Sequence, residues 1–276
     1  MQQFKAANVG SGGRFLTSAE WCNFDFYSRS THVQSCNFLL GIPLTDNSCD
    51  FVYSSHVLEH FSRDEANFLV KDMHRALRPG GLVRIVVPDL EDVCRNYLQS
   101  LANIESIRGR DKHAWAVVEL VDQMVRTTPG GEMVKMHRKA LLDGDEFMRE
   151  HILARTGFDV RTMNLGSKRS VVDKLSNLSL SILGQKSMAI YVALVKKLLP
   201  AGIRNLVIDE TSPGEKHKWM YDRPSLAALL IDAGFRTPVF HAGATSDCSE
   251  FLAQNLDLKE DGSPYKASSL YIEARK

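Results

Sequence analysis

Strong charge of either sign is the first thing this sequence lacks. Its 34 Lys and Arg against 33 Asp and Glu leave a net charge of +1, and nucleic-acid binders usually carry a strongly basic footprint. A paired cysteine pattern is also missing. Cys22, Cys36, Cys49, Cys94 and Cys248 are scattered, odd in number and without a C-x-x-C. That argues against a disulfide framework and a structural zinc site, and for a reducing, cytoplasmic setting. Long apolar runs are absent too. The longest, residues 188–195, has eight residues, far below the roughly 20 that span a bilayer. Residues 1–5 hold no apolar h-region, so no signal peptide is expected. There is no internal repeat or low-complexity stretch. What is there is the composition of an ordinary globular protein, 276 residues with 44% hydrophobic and 24% charged, enough for one large core with or without an insertion.

The chain is organised around residues 49–61. An apolar, β-prone run ends in Ser54-Ser55, and a helical pattern follows at once with His56, Glu59 and His60 at its start. A strand that ends in polar residues and turns into a helix is the usual ligand position on an open parallel sheet. Upstream, a short strand over 4–9 runs into Gly10-Ser11-Gly12-Gly13, where glycine lets the backbone approach a ligand closely. A second strand over 21–26 carries Asp25 near its carboxyl end, an acceptor suited to both hydroxyls of a ribose. A third spans 32–39. Residues 64–77 form an amphipathic helix stopped by Arg78-Pro79-Gly80-Gly81, and 82–87 is a β-branched strand of the doubly buried kind. The alternation predicts a Rossmann-like, doubly wound, mostly parallel α/β sheet.

Strand signals vanish beyond residue 90. Helices are expected over 93–107, 112–126, 144–156 and 171–199, too much chain for one crossover. The alternation returns with a helix over 224–233 and strands over 237–241 and 269–274. The core is therefore expected over 1–90 and 214–276, with 91–213 a helical insertion forming a substrate cap. Within 161–220, ten Lys and Arg face four acids, a local +6. Together with the amphipathic run 183–199 it suits an anionic substrate or a peripheral membrane surface, or simply a solvated helix face.

Five motifs stand in order: Val9 to Gly13; Asp25; residues 43–52; Ser55-His56-Val57-Leu58-Glu59-His60; and Leu77-Arg78-Pro79-Gly80-Gly81. Over residues 4–90 this resembles class I S-adenosylmethionine-dependent methyltransferases of the type 11 methyltransferase-domain group. Residues 214–222, 234–235 and 271–273 look like the same group's carboxyl-terminal end. The resemblance implies S-adenosylmethionine as cofactor. Gly10, Ser11, Gly12 and Gly13 would lie against its methionyl part. Asp25, with Phe26 beside it, would hold the ribose. Asn37 and Phe38 would stand beside the adenine, and Ser55 and His56 would line the crevice. Two positions depart from the pattern: Asn8 and Asn37 stand near where the group usually has acids. Residues 14–20 also leave little room for a crossover helix.

Methyl transfer to a hydroxyl or amine needs an in-line approach and a proton acceptor. His56 and His60, four apart, would share a helical face near the transfer site and are the candidate catalytic bases. Glu59 would orient one of them or favour the helix start. With no further ligand cluster in view, no metal is expected. His113, His137, His151, Arg155, His217, Trp219 and Tyr221 could reach an acceptor. The reading is a methyltransferase acting on a small molecule or glycan precursor, by O-methylation because no Asn-Pro-Pro-Tyr-type motif is present. The alternative is a cofactor-binding scaffold that has lost catalysis. A nicotinamide oxidoreductase is disfavoured, since the turn lacks the third glycine of the dinucleotide pattern.

Overall fold

The structure is a computed structural model describing residues 3–28, 30–163 and 214–276. Among the described residues, seven strands form one sheet in the order β3-β2-β1-β4-β5-β7-β6. They are β1 (Ala6–Val9), β2 (Trp21–Asp25), β3 (Val33–Ser35), β4 (Cys49–Ser55), β5 (Leu77–Pro88), β6 (Arg236–His241) and β7 (Ser269–Arg275). Strands β1 to β5 pair parallel, and β7 enters antiparallel between β5 and β6. The chain runs outward from β1 through β2 to β3, then returns to β1's other side as β4. That reversal opens a crevice outside the carboxyl ends of β1 and β4.

One face of the sheet carries the main core. Ala7, Val9, Val52, Val83 and Ile85 pack there against α1 (Arg63–Ala76) and, through Leu226 and Leu230, against a later helix at Arg223–Asp232. Helix α1 starts where Ser62 completes a capping box with Glu65. Its apolar Ala66, Leu69, Val70 and Met73 recur at helical spacing and are buried. Between β5 and the later helix come α2 (Leu90–Leu101), α3 (Ile107–Val125), α4 (Gly131–Leu142) and α5 (Glu146–Thr156), so the later helix is α6. Trp115, Ala140, Met148, Ile152 and Val160 give α3 to α5 a separate small core. Helix α4 was not expected, and α2 ends well short of residue 107.

Among the described residues, the opposite sheet face is covered without a full helix. No helix links β1 to β2. Residues 14–16 are instead tied to the strands by two buried amides. Asn8 Nδ2 donates to Arg14 O at 2.9 Å. Asn23 Nδ2 donates to Leu16 O at 2.7 Å and to His32 O at 3.1 Å, and its Oδ1 accepts from Leu16 N at 3.1 Å. The face those connections leave open is filled from the carboxyl-terminal end. A single turn, α7 (Ser249–Leu252), and Leu256 pack on Trp21, Phe51, Tyr53 and Leu82. Arg84, fully buried there, donates to Asp257 at 2.6 Å and Glu273 at 2.7 Å.

Candidate active site

The crevice begins where β1 ends. Val9 lies beside Phe24 of β2 and Ser54 of β4. The chain then turns through Gly10 at φ 77° and Gly12 at φ 53°, conformations natural to glycine. A Cβ on Gly10 would stand 2.1 Å from Val57 Cγ2, whereas none at Gly12 or Gly13 would meet a heavy atom within 4 Å. The turn is tight at its first glycine and open at the next two. Asp25 closes the arrangement: its Oδ2 accepts from Gly12 N at 2.7 Å and its Oδ1 from Tyr27 N at 3.2 Å. A carboxylate offers about four acceptor positions, so two stay free for hydroxyl donors. Ser11 Oγ and Ser54 Oγ are buried without a hydrogen-bond partner, where such atoms are normally paired. Space beside two glycines, a half-occupied carboxylate and orphaned hydroxyls suit a ligand with a ribose and an amino acid end. The residues present fit S-adenosylmethionine.

The remaining sequence candidates divide. Phe26 is 46% exposed beside Asp25, and Ser55 is half-buried at the end of β4. Asn37 is exposed, with its Oδ1 accepting from Leu39 N at 3.0 Å to cap a one-turn 3₁₀ segment. The Phe38 ring is not on the crevice wall. It is 4% exposed and packs in the main core, because the capped turn points it inward as the only buried residue of that turn. Asn8 is likewise no acid lost from a ligand site, since its amide is spent on the 14–20 connection.

Past β4 the expected helical face for His56 and His60 does not form. His56 has φ 55° and a backbone N–H donated to Val86 O. A 3₁₀ turn, Leu58–His60, follows, and α1 begins only at Arg63. The two imidazoles still converge, on Glu59. His56 Nδ1 lies 3.2 Å and His60 Nε2 4.0 Å from Glu59 Oε1. His56 Nε2 is 3.0 Å from Ser269 Oγ, and His60 Nδ1 is 3.1 Å from Lys216 O. His217 joins from far along the chain, its ring 5.0 Å from that of His60. Glu59 is 0% exposed, and neither carboxylate oxygen has an aligned hydrogen bond. Burial alone would raise its pKa, but His56, His60 and His217 overcome that and hold it near about 2. His217 is pushed down to about 4, chiefly by burial, with Glu59 opposing.

His217 could not be found by spacing, because the backbone brings it in. Lys218 N and Trp219 N both donate to Glu59 O, and His217 N donates to Gln123 O of α3. Several of the other residues named from the sequence serve packing or local bonds. His137 stacks between Trp115 and Phe158, His113 bonds Ser100 Oγ, and Arg155 pairs with Asp92 and Glu119. Trp219 lies under Arg63, and Tyr221 lines a cavity between α1 and α6 with its hydroxyl unpaired. The run 183–199 and most of the basic cluster lie outside the described residues. Among the described residues no helix is long and apolar enough to cross a membrane.

Residues 24–85 match the family model described as "Methyltransferase domain". No curated protein matches the chain. Among solved structures, an S-adenosylmethionine-dependent methyltransferase from Mesorhizobium loti is 13% identical, covering 99% of this chain and 90% of its own, with a TM-score of 0.39. One from Archaeoglobus fulgidus is 12% identical over 99% and 86% at a TM-score of 0.40, and one from Methanosarcina mazei 14% over 100% and 94% at 0.40. Scores of this size leave the fold to be judged from the sheet itself. The matched segment runs from the end of β2 into β5, and so takes in Asp25, β4 and the turn after it but neither β1 nor the Gly10–Gly13 turn. Residues 24–85 thus match a methyltransferase domain, and the sheet that carries them has the mostly parallel, Rossmann-like order of the class I fold.

Proposed function

We propose that this methyltransferase acts on a hydroxyl of a small molecule or glycan precursor, with His56 as the proton acceptor. The observation that carries the reading is the seat of His56 between Ser269 Oγ and the Glu59 carboxylate. A hydroxyl 3.0 Å from Nε2 is within range to hand over its proton. The buried anion at Nδ1 favours the imidazolium that forms. An acceptor that exchanges with Ser269 would meet that same arrangement. His60 is turned away, toward Lys216 O and His217, so the base role falls to His56.

S-adenosylmethionine would supply an electrophilic methyl group. The chain's part is to hold it and to keep the acceptor in line. Gly10 to Gly13, Asp25, Phe26 and Ser55 would form its seat, and Ser11 and Ser54 would gain the partners they lack. The net charge of +1 gives a polyanionic acceptor no long-range attraction, which supports a small acceptor.

Calorimetric titration with S-adenosylmethionine tests the seat. Asp25→Ala is expected to weaken binding ~10- to 100-fold, the value of one or two charge-assisted hydrogen bonds. Labelled-methyl transfer to a panel of hydroxyl and amine compounds then tests the acceptor. Ether products that His56→Gln suppresses at neutral pH are expected. Label confined to amines would defeat the O-methyl reading, and tight binding without any transfer would leave the scaffold alternative.

A further inference from the structure

We propose that Glu59, His60 and His217 bind one divalent transition-metal ion, of the Zn²⁺, Mn²⁺ or Fe²⁺ class, beside His56. Two imidazoles and one carboxylate make the donor set these ions share. One ligand atom from each of the three residues lies within 4.8 Å of the others. That is somewhat wider than the ~3.4 Å spanned by two 2.1 Å bonds at a tetrahedral angle, so the side chains need close by about an ångström.

Two further observations point to a cation. The first is Glu59 itself, completely buried with both carboxylate oxygens lacking a hydrogen bond. A buried anion is costly unless it is paired or ligates a metal. His56 Nδ1 is close but not aligned for a hydrogen bond, which leaves the carboxylate lone pairs open. The second is the outer arrangement. His60 Nδ1 can donate to Lys216 O, which leaves the Nε2 lone pair on the Glu59 side. Gln123 Nε2 lies 3.1 Å from His217 Nε2; for ligation through His217 Nδ1 that amide turns over, so that Gln123 Oε1 accepts from the Nε2–H. Metal-binding histidines are typically fixed in this way, through the other ring nitrogen. The backbone secures the whole: Glu59 O accepts from Lys218 N and Trp219 N, so the loop bearing His217 is fastened to the turn bearing His60.

A second group of similar composition shows the contrast. His241, Asp247 and Glu273 also come together. There, however, the Glu273 carboxylate already accepts from Arg84, Ser246 Oγ and Asp247 N. It has the partners that Glu59 lacks. Arg126, a cation that acts on His217, is paired with Asp122 at 2.6 Å.

The test needs neither methyl acceptor nor turnover, so it stands or falls apart from the reading above. The untagged full chain, stripped with chelator, is titrated with Co²⁺ by visible absorption and with Zn²⁺ by calorimetry. The expected result is one saturating equivalent with ligand-field bands. His217→Gln and Glu59→Gln should each weaken binding at least ~100-fold, beyond what loss of an outer partner does, while His241→Gln leaves it unchanged. Circular dichroism reports whether each variant is folded. Absence of saturable one-to-one binding in the wild type overturns the proposal whichever variants fold. So does wild-type affinity in the folded His217→Gln protein.

Discussion

Gly10 and Gly12 both sit at positive φ, yet substitution should separate them. At Gly10 a methyl group would overlap Val57 Cγ2 at 2.1 Å in addition to the strain of φ 77°. Left-handed backbone costs an L-residue roughly 1–2 kcal/mol, and overpacking ~1–3 kcal/mol more. Gly10→Ala should therefore lose about 2–5 kcal/mol in urea unfolding. At Gly12 the space is open, so Gly12→Ala should cost only the backbone strain and spare the fold. Its methyl would occupy the space offered to the cofactor, so the loss should appear in S-adenosylmethionine binding. Combining Gly10→Ala with Val57→Ala gives the decisive cycle. A coupling of at least ~1 kcal/mol is expected for residues in direct contact. Strict additivity would show that the contact with Val57 is not what reserves this position for glycine.

At the scale of elements, side-chain amides do the work that crossover helices usually do. Asn23 is buried and makes bonds to the β1–β2 connection on one side and the β2–β3 connection on the other. Asn23→Ala would strip partners from Leu16 N, Leu16 O and His32 O. Orphaned buried groups cost ~1–3 kcal/mol each, and partial access of water to the connections lowers the sum to about 2–4 kcal/mol. Urea unfolding measures it, and a loss below 1 kcal/mol would mean water replaces the amide freely. This also marks what the sequence could and could not tell. Strands β1, β2, β4 and β5 were legible because a doubly buried parallel strand has little freedom of composition: Phe51, Val52, Val83 and Ile85 have to be apolar. The shortness of residues 14–20 was legible, but its remedy was not, since the stapling function of Asn8 and Asn23 depends on tertiary distance. The glycine turn and Asp25 announced themselves by local chemistry. Phe38 misled because a 3₁₀ turn capped by Asn37 reorients it, and His56 and His60 because a left-handed residue replaces the helix start. His217 is named from the sequence only as a residue that could reach an acceptor; its place beside Glu59 and His60 had no local signal.

For the molecule as a whole, the sheet and the helices α3 to α5 should respond differently to acid. Trp115 and Phe158 enclose His137, which is 7% exposed, and burial, with a smaller contribution from Arg126, pushes its pKa down to about 4. His151 on α5 is pushed to about 4 as well, by burial and then by Lys112 and Arg155. In the unfolded chain both imidazoles take up protons near the ordinary 6.5, whereas in the fold they stay neutral until about 4. Between those values the unfolded state binds more protons, so stability is fully present above 6.5 and falls as the pH drops toward 4. For His137 the loss amounts to ~1–3 kcal/mol. Asp145, which caps α5 and pairs with Arg108, has its pKa lowered below 3.8, so its own contribution goes only at still lower pH. The sheet face over β4 and β5 depends on Arg84 with Asp257 and Glu273, carboxylates buried against a permanent cation. Hydrogen exchange at pH 7 and pH 4.5 should therefore show protection falling across 107–156 while 49–55 and 82–88 stay protected. His137→Phe keeps an aromatic ring between Trp115 and Phe158 but cannot be protonated. It should shrink the acid-induced loss in 107–156 by about half, as one of two depressed histidines is removed. An unchanged pH profile in that variant would show that His137 does not govern the acid sensitivity of these helices.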